Sequence, residues 1–214
     1  AISTFVSASQ RALEAERTDT IEKVSQWCGK VQQQVTRAGE IIRRLRDFTR
    51  LSEVHREPFD VNQAIREAIE LVTRDVQQHM AKLELRLADA VPVVRADRLQ
   101  FEQVLVNLLR NACEAMDEVS DRQRIVTIMS SSADQSVQVA VRDRGSGMTD
   151  EQLQSAFKAF YTTKPEGTGI GLAISRRIIE QYGGRLWAEP NDDFGMTFCC
   201  TLPLHAAEGV GDDQ

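Results

Sequence analysis

A chain of 214 residues, 42% of them hydrophobic, has room for one large domain, or one domain with a smaller element beside it, and enough apolar mass for a core. Its formal net charge of −6, with no basic stretch to neutralise phosphates, argues against nucleic-acid binding. No apolar run approaches the roughly 20 residues that cross a bilayer, and no signal peptide is visible, so a cytoplasmic chain without membrane contact is expected.

The segment AISTFVSASQ reads as the middle of a helix and no initiator Met precedes it, so an excised fragment is expected. In this first stretch Ile2, Phe5, Val6, Ala12 and Leu13 suggest a short amphipathic helix, bridged at its middle turn only by Ser9. The polar run 14–20 is a turn, with Thr18, Asp19 or Thr20 capping a second helix. Along that helix Ile21, Val24, Cys28, Val31, Val35, Ala38, Ile42 and Leu45 form a heptad seam, widened by Ile41 and Phe48. Two antiparallel helices cannot bury such a seam on both sides, and a second copy would complete a four-helix bundle; packing against the rest of the chain is the alternative. Arg43, Arg44, Arg46 and Arg50 on this helix read as a solvated face.

Pro58, in HREPFDV, ends the long helix and marks a domain boundary. An amphipathic helix comes next through Val61, Ile65, Ala68, Ile69 and Val72, then a half-buried strand in KLELRLAD and a short one in VPVVRAD. Asp97 starts a helix reaching about Met116, with Gln100 placed for a capping box. RIVTIMSSS and SVQVAVRD are strands joined by a turn at 133–135. A glycine-rich turn, a short helix, a polar loop, a second glycine-rich turn and the helix IGLAISRRIIEQY come after them, the last closed by Gly183 and Gly184. RLWAEP and MTFCCTLP form a terminal hairpin around 191–195, and 205–214 is a frayed tail. The class is α+β: a helical hairpin followed by a two-layer sandwich with mainly antiparallel strands. Cys28, Cys113, Cys199 and Cys200 lack metal or redox spacing and are expected reduced and buried. The adjacent pair would face opposite sides of a strand.

Three elements carry chemistry. On the helix from Asp97, Leu99, Val104, Leu105, Leu108, Leu109, Ala112 and Met116 supply packing, while Gln100, Gln103, Asn107, Asn111 and Glu114 line one flank. Amide and carboxylate oxygens suit a hard cation such as Mg²⁺; on this helix alone, a solvated stripe fits equally well. Asp143-Arg144-Gly145-Ser146-Gly147-Met148 comes directly after a strand, so the backbone can approach a flat ligand and Asp143 can accept from an exocyclic amine. Gly167-Thr168-Gly169-Ile170-Gly171-Leu172 opens a helix and frees N–H groups for phosphate. A Rossmann fingerprint is rejected despite Glu189 downstream, because position 172 is Leu and the polar loop YTTKPEG, not a strand, precedes; a Walker A loop is rejected because GK[ST] is absent.

Together these elements resemble the ATP-binding domain of sensor histidine kinases. NLLRNACEAM looks like that family's N box, DRGSGM its first glycine box, FKAFYTTK its phenylalanine box and GTGIGLAIS its second glycine box. QQQVTRAGEIIRRLRDF is similar to the second dimerisation helix of the oxygen- and dicarboxylate-sensing subgroup. The resemblance covers residue 1 to about Pro203. It implies a dimerisation hairpin at 1–54, self-associating as a homodimer, an ATP-binding domain at 55–205 of the gyrase, chaperone and histidine kinase type, and a flexible tail at 206–214.

The resemblance also implies that Asn111 holds Mg²⁺ against the triphosphate of ATP, with Asn107 and Glu114 lining that region. Asp143 would bind the adenine amine in a pocket shaped by Gly145 and Gly147. Residues 157–167 would form a mobile lid anchored by burial of Phe157 and Phe160, with Lys164 meeting a phosphate and Thr162 and Thr163 assisting. Gly167, Gly169 and Gly171 would cradle phosphates, Thr168 and Ile170 completing the loop and Leu172 packing below. Asn107, Asn111 and Lys164 are the expected catalytic set. The implied activity is γ-phosphoryl transfer to a histidine, for relay to the receiver domain of a response regulator. The family's H box is missing, and His55, His79 and His205 read as surface residues. A superfamily ATPase is the alternative, but such enzymes place a Glu four residues before the metal-binding Asn, where this chain has Asn107. A nucleotide-binding dimerisation module without turnover is the other.

Overall fold

The computed structural model describes residues 3–4, 6–7, 23–32, 35, 39, 56–117, 119, 124–133, 135–164 and 167–204. The chain divides into two compact units, Ala1–Leu51 and Ser52–Gln214. In the first, residues 3–4, 6–7, 23–32, 35 and 39 are helical. Val24, Trp27 and Val31 are half-buried there, whereas Val35 is 55% exposed. Cys28, expected buried, is exposed, because the half-buried stripe runs through Val24, Trp27 and Val31 to one side of it. The remaining seam positions, the turn at 14–20, His55, His205 and the tail lie outside the described residues.

The second unit runs β1 (Glu57–Phe59), α1 (Val61–Gln78), β2 (Lys82–Leu87), β3 (Val94–Ala96), α2 (Arg98–Glu114), β4 (Ile125–Ala133), β5 (Ser136–Arg142), α3 (Asp150–Ser155), α4 (Gly171–Gln181), β6 (Arg185–Pro190) and β7 (Met196–Pro203). The main sheet has the order β2-β4-β5-β7-β6. Its β4–β5, β5–β7 and β7–β6 pairs are antiparallel, while β2 lies parallel to β4. The sheet is therefore mixed. β1, expected only as the end of a helix, pairs antiparallel with β3 in a separate ribbon.

One face of the sheet meets the helical stripes, while β7 is buried on both faces from Met196 to Cys200. Val126, Ile128, Val137, Val139, Val141, Leu186, Phe198, Cys200 and Leu202 alternate along the sheet, and all are buried. Ile65, Ala68 and Val72 of α1, Phe101, Val104, Leu105, Leu108, Leu109 and Ala112 of α2, and Ile174, Ile178 and Ile179 of α4 complete the core. Leu99 was expected in this stripe but is 73% exposed, since it lies off the face that Phe101 and Leu105 define. Cys199 and Cys200 pair opposite Ala140 and Val139 on β5, and both thiols are pushed up by burial, to about 11 and about 12.

The helix ends follow their local chemistry. Asp60 caps α1, accepting from Asn62 and Gln63 N–H. Asp97 caps α2 through Gln100 N–H, but the Gln100 side chain meets Asp97 Oδ2 instead of its backbone, so only half of the capping box forms. Thr149 and Gln152 make a complete box on α3. At the far end of α4, Gly183 adopts φ +77°, and the Gly183 and Gly184 N–H groups donate to Glu180 and Ile179 carbonyls in a Schellman closure.

Candidate functional site

The site is built along the polar flank of α2. Asn107, Asn111 and Glu114 succeed one another up this flank and are half-buried, while Gln103 is exposed. Gln100, at the start of the stripe, accepts from the Tyr182 hydroxyl at 3.3 Å and so serves packing with the end of α4. Asn107 Nδ2 donates to Ser175 Oγ at 3.0 Å, tying α2 to the second turn of α4. Asn111 makes no side-chain hydrogen bond to another described residue and is half-buried.

Helix α4 starts against this flank. A Cβ added at Gly171 would run into the Asn107 amide oxygen, so a larger residue there would push that side chain aside. Unlike α1, α2 and α3, α4 has no side-chain hydrogen bond at its N-cap, Ile170. Its first N–H groups therefore keep the positive end of the helix available to an anion. Ile170 itself is buried, and Leu172 half-buried.

The loop before α4 is pinched at its neck. Phe160 N–H donates to Gly169 O at 2.8 Å, with positive φ at both residues, +68° and +65°. Phe160, expected buried, is 67% exposed, because the left-handed backbone that closes the neck turns its ring outward. Phe157 is half-buried, edge-on to Phe198 at 6.4 Å and under the Arg176 guanidinium. Within the loop, Thr162 Oγ1 accepts from Lys164 N–H, and Gly167 N–H donates to Lys164 O. Thr162 and Thr163 are exposed and Thr168 is half-buried. Lys164 Nζ reaches across to Glu114 Oε2 as an ion pair, so the loop closes back onto the end of α2.

The third element lies beside the same helix end. Ser146 N–H donates to Ala115 O, and a Cβ at Gly145 would meet that oxygen at 2.5 Å. Gly147 turns with φ +77°. Asp143, at the end of β5, is 1% exposed. Its Oδ1 accepts from Gly145 N–H at 2.8 Å and Met196 N–H at 3.2 Å. Burial raises the Asp143 carboxyl above the ordinary range, opposed by those two backbone donors and by the charges of Lys164 and Arg142.

Of these elements, the start of α4 meets α2 at Asn107, the loop meets it at Glu114 through Lys164, and the turn after β5 meets its end at Ala115 through Gly145 and Ser146. Asn191, Gly195 and Met196, which hold Asp143 from behind, lie outside every motif; only their place in a tight hairpin marked them. His79, expected at the surface, is half-buried, with Nδ1 2.6 Å from Asp117 Oδ1. Among the described residues no three His, Cys, Asp or Glu side chains could hold a metal ion together, and no helix is long and apolar enough to cross a membrane.

The family described as histidine kinase-, DNA gyrase B-, and HSP90-like ATPase matches residues 96–206. The sensor protein FixL of Bradyrhizobium diazoefficiens is 41% identical over 203 residues, which are 95% of this chain and 40% of FixL. The crystallised catalytic domain of histidine kinase ThkA is 32% identical with a TM-score of 0.62, covering 69% of this chain and 95% of that one. ThkA in complex with the response regulator protein TrrA is 25% identical with a TM-score of 0.75, over 94% of this chain and 56% of that one. The chain spans less than half the length of the first curated relatives it matches.

Proposed function

This chain belongs to the histidine kinase-, DNA gyrase B- and HSP90-like ATPases, on their sensor histidine kinase branch, and from that premise we propose that it is a kinase core. It binds Mg-ATP and passes the γ-phosphoryl group to a histidine on a dimerisation helix, for relay to a response-regulator aspartate. The observation that carries this reading is the uncapped, glycine-led start of α4 lying directly on the amide flank of α2.

The residues fit the implied ligand. The N–H groups at the start of α4 and the loop 167–171 suit the phosphates. The Asp143 carboxylate suits the adenine amine, and Lys164 can exchange its bond to Glu114 for one to a phosphate. Mg²⁺ typically takes one or two protein oxygens and leaves the rest to phosphates and water, which suits Asn111 in a site without a carboxylate cluster among the described residues. When bound, the ion neutralises charge on the transferring phosphoryl group. The chain's own residues hold the triphosphate in line, exclude water and supply no nucleophile; the acceptor imidazole forms the new bond to phosphorus as ADP leaves. The half-open seam of the first unit supports self-association through residues 1–54, and ThkA's complex with TrrA supports a receiver domain as partner.

The test is to incubate the chain with Mg-ATP and an H-box helix supplied separately. Acid-labile phosphohistidine on that helix is the expected result. Release of free phosphate without it would favour a superfamily ATPase, against which Asn107 stands in place of a water-activating Glu. Nucleotide binding with neither product would favour a dimerisation module.

A further inference from the structure

The carboxylate of Asp143 is held from behind by the turn between β6 and β7. Asn191 N–H donates to Gly195 O at 3.1 Å and closes that turn. Its side-chain amide is fully used. Nδ2 donates to Asp143 O at 2.9 Å and to Phe194 O at 2.7 Å, and Oδ1 accepts from Thr197 Oγ1 at 2.6 Å. Gly195, at φ +81°, brings the turn's backbone against Asp143, where a Cβ would strike the Asp143 carbonyl and Oδ1. Met196 then bonds Asp143 twice, N–H to Oδ1 at 3.2 Å and O from Asp143 N–H at 3.0 Å. The Arg142–Asp193 pair at 2.5 Å clamps the outer side of the same turn.

We propose that Asn191 is a positioning residue that fixes the aim of Asp143 and thereby sets a preference for adenine over guanine nucleotides; this rests on the nucleotide-binding reading above. The chemistry is directional. Adenine offers an exocyclic amine to a carboxylate, whereas guanine offers an oxygen at that position, setting lone pair against lone pair. Discrimination therefore depends on where Oδ2 points. Oδ1 is pinned by Gly145 and Met196, and the backbone carbonyl by Asn191, so side chain and main chain of Asp143 are both tied to the turn. Without the Asn191 amide, the Asp143 carbonyl loses its side-chain donor and Thr197 loses its acceptor.

The experiment measures affinities for non-hydrolysable ATP and GTP analogues by competition against a fluorescent nucleotide, on the full chain and its variants, with melting curves alongside. Asn191→Ala is expected to weaken the ATP analogue about tenfold, as for one lost positioning hydrogen bond, and to leave the GTP analogue nearly unchanged, so the ratio of the two shrinks. Thr197→Val, which removes the hydroxyl orienting the amide, shifts the ratio in the same direction, and Thr197→Ser restores it. If Asn191→Ala does not fold, the Thr197 pair makes the same test. An unchanged ratio, or an equal loss for both analogues, overturns the role of Asn191 while nucleotide binding stands. A wild-type chain that binds neither analogue overturns the nucleotide reading and this inference together.

Discussion

Asp143 is a buried acid with two backbone bonds on one oxygen, and that arrangement ties stability to function in opposite senses. Because burial raises its pKa, the folded chain keeps a proton through a pH window where the unfolded chain has released it. Stability from this group therefore falls as pH rises from the ordinary carboxylate value through the raised one, and the penalty is complete above it. Asp143→Asn cannot titrate and still offers Oδ1 to Gly145 and Met196. At neutral pH it should melt no lower than wild type, yet bind an ATP analogue roughly tenfold to a hundredfold more weakly, having lost a charged acceptor. A melting curve beside calorimetry checks this; a large drop in Tm with affinity retained would contradict it. The places of Asp143 after β5 and of Asn107 and Asn111 on one flank of α2 were legible because motif residues must sit at fixed spacings along one helix or after one strand. Asn191 was not, since its work is done through the backbone of a residue 48 positions away. Phe160 was misread because hydrophobicity predicts burial, while its left-handed backbone sends the ring outward.

At the level of elements, two glycines separate scaffold from site. Gly145→Ala would press a methyl onto the rigid Ala115 carbonyl and should cost about 1–3 kcal/mol of stability. Gly171→Ala would instead displace the Asn107 side chain and its bond to Ser175. That should cost about 1 kcal/mol of stability with a larger loss of ATP affinity, because the start of α4 shifts away from the flank of α2. Denaturant unfolding and nucleotide titration of both variants separate the two effects. Helices α1, α2 and α4 were legible from periodicity and capping, and the β6–β7 hairpin from its turn. The parallel β2–β4 pair was not, because partner choice is a long-range property that alternation does not encode. β1 was hidden because three residues around a proline carry no period; it exists as the partner of β3.

For the whole molecule, the second unit carries its own core, and the site lies within it. Self-association through the first unit should therefore be separable from nucleotide binding. Val31→Glu, at a half-buried seam position, should turn a dimer into a monomer in analytical ultracentrifugation and leave ATP affinity within about twofold, as for sites without shared partners. The central claim, that the α2 flank and the α4 start hold a magnesium-bound triphosphate, is tested most directly by calorimetric titration with a non-hydrolysable ATP analogue. The titration is run with Mg²⁺ and with chelator, on wild type and Asn111→Ala. The expected result is one saturable site per chain, weakened about tenfold or more by removing Mg²⁺, with Asn111→Ala already weak and nearly insensitive to the chelator. Binding that is absent, or equally strong with and without Mg²⁺ in both proteins, would contradict it.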